Sequence, residues 1–340
     1  MSTQPNSLKA NSQSAYVYVG DGCTVSSRGM RAPLFEPSPE SDDARYYIAE
    51  PGLRDAVNVA LLLGQPLLVT GDPGTGKTQL ARSIAFELEL PPPLVFPAKT
   101  TSTARDLFYR YDALAHFHDA HFHDKPVAIE QYIKFEALGL AILLALDHAE
   151  SACYLPPELR TVGPTRSVVL VDEIDKAPRD LPNDVLNEIE QMSFRVRETG
   201  KDFRAGDAYR PILVMTSNSE KNLPEPFLRR CVFYHIEFPD AKRLRMIVER
   251  RVGPKHPLSP DVLDHALAHF QEIRKAPLAR KPATAECLAW LRVLSSMDLD
   301  PGDLKPGQAE QLALSYCVLV KNKEDLAKLR KTLEVRAAAQ

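Results

Sequence analysis

The sequence predicts an α/β fold in which a parallel sheet is sandwiched between helices and followed by a smaller all-helical domain. Three observations carry this. Short apolar strands alternate with helices between residues 46 and 238, the pattern of a parallel sheet with helical crossovers. A glycine-rich turn of the form G-x-x-x-x-G-K-[ST] joins one of those strands to the next helix. Beyond Pro239 the strands stop and only helical segments follow.

Composition sets the outer bounds. The chain has 340 residues, enough for one large domain and a smaller one, with 44% hydrophobic and 26% charged residues. Its net charge of -3 gives no global basic footprint of the kind that marks nucleic-acid binding. No apolar run is long enough to span a bilayer, and Met1 to Gly20 is polar, without the apolar core of a secretory signal. The five cysteines, at 23, 153, 231, 287 and 317, never form a CxxC pair. A disulfide framework or zinc site is therefore not expected, and a reducing cytoplasm is.

Taken in order, residues 1–45 are rich in Ser, Pro, Asn and Gly and read as a flexible arm, with Tyr16, Val17 and Tyr18 as a short added strand. Leu53 to Leu63 is a helix entered through Glu50, Pro51 and Gly52. Pro66 to Thr70 is a buried strand, Thr78 to Leu90 the helix after the glycine-rich turn, and Leu94 to Phe96 a second strand beyond the stop at Pro91 to Pro93. Residues 97–166 make a long connection with expected helices at Ala104 to Phe117 and Ile129 to Ala149. Ser167 to Val171, Pro211 to Thr216 and Cys231 to Phe238 read as strands, with a helix at Leu181 to Met192. The helices beyond are Asp240 to Arg251, Pro260 to Arg274, Thr284 to Ser296, Gly307 to Val318 and Lys323 to Ala337. The expected domains are thus 1–45, 46–238 and 239–340.

The chemistry begins at Gly71, Asp72, Pro73, Gly74, Thr75, Gly76, Lys77 and Thr78, a full phosphate-loop match between a strand and a helix. Glycines let several backbone N–H groups curl toward one anion, and the helix N-terminus adds partial positive charge. Lys77 would reach the β- and γ-phosphates of ATP, and the Thr78 hydroxyl would be a magnesium (Mg2+) ligand. Ser167 to Glu173 is an apolar strand ending in two acids at its C-terminal edge, where α/β ligands bind. Asp172 would hold magnesium, and Glu173 would polarise the attacking water. Asp175 and Lys176, just beyond, read as structural residues or as contacts with a neighbouring subunit.

Asn218 ends the Pro211 to Ser217 strand and would help place the water; a plain turn asparagine is the alternative. Arg229 and Arg230 precede the last strand. They either neutralise a helix dipole or supply an arginine finger to a neighbour's γ-phosphate, Arg230 being favoured over Arg229. His116, His118, His121 and His123 crowd together, but no two are four apart, so an exposed segment fits better than a metal site. Phe108, Tyr109 and Tyr111 either pack in the core or grip a client in a pore.

The phosphate loop is followed by Val-Asp-Glu-Ile-Asp-Lys-Ala-Pro, a Leu-Asn-Glu-Ile-Glu helix, a hairpin across Phe194 to Tyr209, Thr-Ser-Asn and Leu-Pro-Glu-Pro-Phe-Leu-Arg-Arg. In that order they resemble the MoxR family of AAA+ ATPases, over roughly residues 46–300. The resemblance implies a P-loop NTPase αβα sandwich with a helical lid. It also implies a nucleotide-dependent ring of self-associated subunits, usually a hexamer, that remodels a protein client, often beside a partner with a von Willebrand factor A domain. The finger falls on Arg230 within Glu225-x-x-Leu228-x-Arg230. The family's second sensor is an arginine, and the sequence departs from that pattern at Arg280 to Thr284; Lys281 is the candidate there, with a solvated lysine before a helix as the alternative. Residues 97–166 resemble an insertion that projects toward the ring pore. Two other functions stand beside this one. An ATP-controlled assembly switch, as in a prokaryotic defence system, would turn over slowly, and a nucleic-acid motor would be stimulated by DNA.

Overall fold

The structure is a computed structural model that describes residue 18 and residues 43–122, 128–161, 163–219, 223–252, 258–305 and 307–337. Its strands are β1 (Leu67–Gly71), β2 (Leu94–Pro97), β3 (Tyr109–Tyr111), β4 (Ile133–Phe135), β5 (Val168–Asp172), β6 (Ser193–Val196), β7 (Lys201–Arg204), β8 (Ile212–Ser217) and β9 (Val232–Ile236). The first helices are α1 (Pro51–Leu63), α2 (Lys77–Glu87), α3 (Ala113–Phe122), α4 (Ala137–Leu144) and α5 (His148–Ser151). Then come α6 (Leu181–Asp184), α7 (Leu186–Gln191), α8 (Glu225–Leu228), α9 (Ala241–Arg251), α10 (Pro260–Lys275), α11 (Thr284–Met297), α12 (Gln308–Ser315) and α13 (Lys323–Ala337).

The described residues fall into two units. One is Asp42–Arg250 with Ala283–Glu286. In it, β2, β5, β8, β1 and β9 lie side by side in that order, every neighbour pair parallel. The central strands are apolar on both faces because both faces are covered. Leu67 and Val69 face Leu53, Ala60, Leu80 and Ile84 of α1 and α2. Leu68, Val169 and Val171 point the other way, toward Leu138 and Ile142 of α4 and Ile189 of α7. Alternation along each strand thus builds a three-layer αβα sandwich around two cores.

The helical unit, Arg251–Pro282 with Cys287–Gln340, contains α10, α12, α13 and most of α11. Phe270 and Trp290 are fully buried in it. Two polar pairs are buried in it, Trp290 Nε1 donating to Ser315 Oγ at 2.8 Å and His269 Nε2 meeting the Tyr316 hydroxyl at 2.7 Å. The sequence placed the domain boundary at 238–239, whereas α9 groups with the α/β unit as far as Arg250. Arg243 of α9 forms an ion pair with Glu50, the residue that precedes α1, and Glu50 also accepts the Tyr234 hydroxyl at 2.8 Å.

Several element expectations are corrected. Ala104 to Phe117 is not one helix. A short 3-10 turn, Ala104–Leu107, held by a Thr103/Asp106 capping box, leads into β3, and α3 starts only at Ala113. Ile129 to Ala149 is likewise interrupted by β4, which pairs antiparallel with β3. Aromatic and β-branched residues favour this pairing, and it buries Phe108 and Tyr109. Burial in the core excludes a pore-gripping role for those two side chains. The Leu181 to Met192 helix breaks at Val185 into α6 and α7. α2 ends at Glu87 rather than Leu90, and Glu89 just beyond adopts a left-handed φ of 54°. The 97–166 segment is largely built into the sandwich, because α4 is apolar almost all round and packs under the sheet.

Of the crowded histidines, His116 meets the Tyr111 hydroxyl at 2.6 Å and stacks on Tyr132, and His118 lies 3.1 Å from Asp119. His123 lies outside the described residues, as do Tyr16, Val17 and nearly all of the 1–45 arm. Among the described residues, no helix is long and apolar enough to cross a membrane.

Candidate nucleotide site at the ends of β1, β5 and β8

β1 ends in a loop whose course only glycine adopts without strain. Gly74 and Gly76 have φ of 83° and 92°, and Gly76 caps α2 in the left-handed region. The loop bonds to itself, Thr75 Oγ1 donating to the Asp72 carbonyl at 2.8 Å. Asp72, Pro73 and Gly74 are exposed on the outside of this curl.

Lys77, the first residue of α2, is buried to 7% exposure. Its ammonium donates to Gly71 O at 2.7 Å, Asp72 O at 3.0 Å and Asn218 Oδ1 at 3.0 Å. Those contacts match its three donors. Burial pushes its pKa down, against the pull of Asp172, Asp175, Asp72 and Glu173.

Parallel pairing sets the acids. Val171 of β5 lies opposite Met215 of β8, so Asp172 and Thr216 come next on adjacent strands. Thr216 Oγ1 donates to Asp172 Oδ1 at 2.6 Å and accepts the Glu173 N–H at 2.9 Å. Thr78 Oγ1 also donates to Asp172 Oδ1, at 3.0 Å. A hydroxyl beside a carboxylate is an all-oxygen donor set, which suits a hard cation such as magnesium.

Glu173 carries a left-handed φ of 55°, uncommon for a residue with a side chain and of the kind that gathers at functional sites. Its carboxylate forms an ion pair with Lys176 and accepts from Asn218 Nδ2 at 3.3 Å. The Lys176 contact is the main cause that lowers its pKa, with Asn218 and Lys77 adding to it and desolvation opposing. The Asn218 backbone N–H donates to Asp175 Oδ1 at 3.2 Å.

Lys77, Thr78, Asp172, Glu173 and Asn218 therefore form one bonded cluster. The arginines bond elsewhere. Arg230 lies 3.5 Å from Glu190 of α7, donates to Pro226 O at 3.2 Å and is 49% exposed. Arg229 pairs with Glu225 one turn earlier. Lys281 belongs to the helical unit and is exposed. Sequence reasoning missed Thr216, and it gave Asp175 and Lys176 no part in this cluster. It also missed Ala285, whose N–H donates to Gly74 O at 3.2 Å. The β5–β8 register would have pointed to Thr216.

Residues 66–231 match the family model described as AAA domain, dynein-related subfamily. Over those residues the α/β unit is similar to AAA-type ATPase domains. The match runs from the residue before β1 to the residue before β9, a little under half of the chain, and contains the whole cluster. No curated protein matches the chain. An AAA domain implies nucleotide binding and hydrolysis, so the loop and acids of this domain stand where ATP chemistry is expected.

Proposed function

We propose that the chain hydrolyses ATP as a MoxR-like AAA+ remodeller, working as a homo-oligomeric ring, a hexamer, on a protein client beside a von Willebrand factor A domain partner. The bonded cluster linking Lys77, Asn218, Glu173, Asp172, Thr216 and Thr78 carries this reading, because it supports a division of labour among single side chains. Lys77 and the backbone N–H groups of Gly74 to Thr78 would hold the phosphates. Thr78 and Asp172 would hold magnesium, which neutralises developing charge on the phosphates. Glu173 would orient a water and take its proton, with Asn218 fixing the water's place.

Arg230 would act on the next subunit's nucleotide. Its half-exposed position fits a residue that a neighbour can reach, with Arg229 as the reserve candidate. Lys281 would sense nucleotide from the helical unit. A reducing cytoplasmic setting agrees with free Cys153, Cys231, Cys287 and Cys317. The acidic net charge argues against a nucleic-acid motor.

The test is Glu173→Gln, which keeps the shape of the side chain and removes its basicity. Calorimetric titration of magnesium-ATP is expected to give near wild-type affinity, while phosphate release falls roughly a hundredfold or more. Turnover at the wild-type rate would move the base elsewhere. The same variant, holding the ATP state, is the bait for retaining client and partner during purification.

A further inference from the structure

We infer that Lys176 is a positioning residue for Glu173: its ammonium and the Asn218 amide hold the carboxylate from both sides. The inference rests on Glu173 being the base. The turn that creates the contact is short and tight. Glu173 caps a 3-10 turn, Ile174–Lys176, closed by Lys176 N–H to Glu173 O at 2.9 Å and Ala177 N–H to Ile174 O at 3.1 Å. With three residues per turn, side chains at i and i+3 eclipse, so Lys176 comes to lie against Glu173.

The backbone of Glu173 is fixed by its left-handed φ and by the Thr216 hydroxyl. That fixes Cα but leaves the rotatable bonds of a glutamate side chain free. Two contacts remove that freedom, Lys176 Nζ on Oε2 and Asn218 Nδ2 on Oε1. The Asn218 arm is itself braced, because its Oδ1 accepts from Lys77 and its N–H donates to Asp175. Asp175 and Lys176 are neighbours on the one turn. The turn thus holds the Asn218 backbone with one residue and the Glu173 carboxylate with the next, in a continuous chain from Lys176 through Glu173 and Asn218 to Lys77.

Lys176 is 52% exposed and Glu173 39% exposed. An ion pair this open to water adds little to folding stability. Its loss should therefore be read in turnover and not in melting. A guanidinium keeps the charge and the reach, so Lys176→Arg should preserve the contact.

The experiment measures ATP turnover by the full-length chain as Lys176→Met, Lys176→Arg, Glu173→Gln and the Lys176→Met/Glu173→Gln double variant. Lys176→Met is expected to lower kcat roughly tenfold to a hundredfold, the cost of a misplaced catalytic group, with KM for ATP within about twofold. Lys176→Arg should restore most of the loss, the melting temperatures should agree, and the double variant should be no slower than Glu173→Gln alone. If Glu173→Gln is inactive but Lys176→Met has wild-type kcat, the positioning role is wrong and the base assignment stands. A raised kcat in Lys176→Met, or a loss confined to KM, also overturns it. If Glu173→Gln itself turns over normally, the base assignment fails and the positioning role falls with it.

Discussion

One buried hydroxyl, that of Thr216, joins the two acids of the site, donating to Asp172 while accepting from the backbone of Glu173. Thr216 is fully buried, so water cannot replace what a substitution removes. Thr216→Val keeps the shape but leaves the Glu173 N–H without its acceptor and takes from Asp172 the shorter of its two hydroxyl donors, leaving that of Thr78. Unfolding in urea is expected to register a loss of about 1–3 kcal/mol, the cost of a buried polar group deprived of its partner. Thr216→Ser should retain the bonds and lose about 1 kcal/mol or less for its missing methyl. A Val variant as stable as wild type would mean that the hydroxyl does not hold the acids. At this scale the sequence was legible wherever chemistry dictates spacing. Lys77 and Thr78 follow the glycines that turn the loop, and Asp172 and Glu173 end an apolar strand. Thr216 was not legible, because its partners lie on another strand and only the pairing register brings them together.

At the scale of elements, the long connection before β5 shows how packing overrides local pattern. Its aromatic and branched residues read as helix by period, yet Tyr109 to Tyr111 and Ile133 to Phe135 pair as strands. What fixes α4 beneath them is the absence of a side chain. A Cβ at Gly139 would lie 1.9 Å from the Phe108 carbonyl oxygen, a backbone atom with no flexible end to move aside. Gly139→Ala is therefore expected to destabilise the chain by about 1–3 kcal/mol through overpacking, although alanine is ordinarily the better helix former. Gly163→Ala, where nothing lies within 4 Å, should be close to neutral in the same denaturation experiment. Equal stability of the two variants would contradict the close approach of α4 to Phe108, the residue before β3. No sequence period could announce this contact. The five sheet strands, by contrast, were legible, since each is a short apolar run bounded by turn residues.

At the scale of the whole molecule, the parallel sheet collects the loop after β1, the acids after β5 and the amide after β8 at one edge, which is where this topology places ligands. The change from alternating strands to successive helices was plain in the sequence. That α9 belongs with the sheet was not, because it depends on Arg243 meeting Glu50, far away in the chain. Arg230 is the candidate residue whose meaning depends on more than one copy of the chain. It bonds to Glu190 and Pro226 and has no bond in the cluster around Lys77. The central claim is that hydrolysis requires this arginine from a neighbouring subunit, a contribution worth roughly a thousandfold or more in turnover. Mixing Arg230→Ala protein with Lys77→Ala protein tests it most directly. Each alone should be inactive, the first with ATP affinity within a few fold of wild type and the second with that affinity severely weakened. Mixed rings would pair an intact phosphate loop with an intact arginine at some interfaces, so phosphate release should return in the mixture. A mixture that stays inactive while light scattering confirms mixed oligomers, or an Arg230→Ala protein that is fully active alone, would contradict the account.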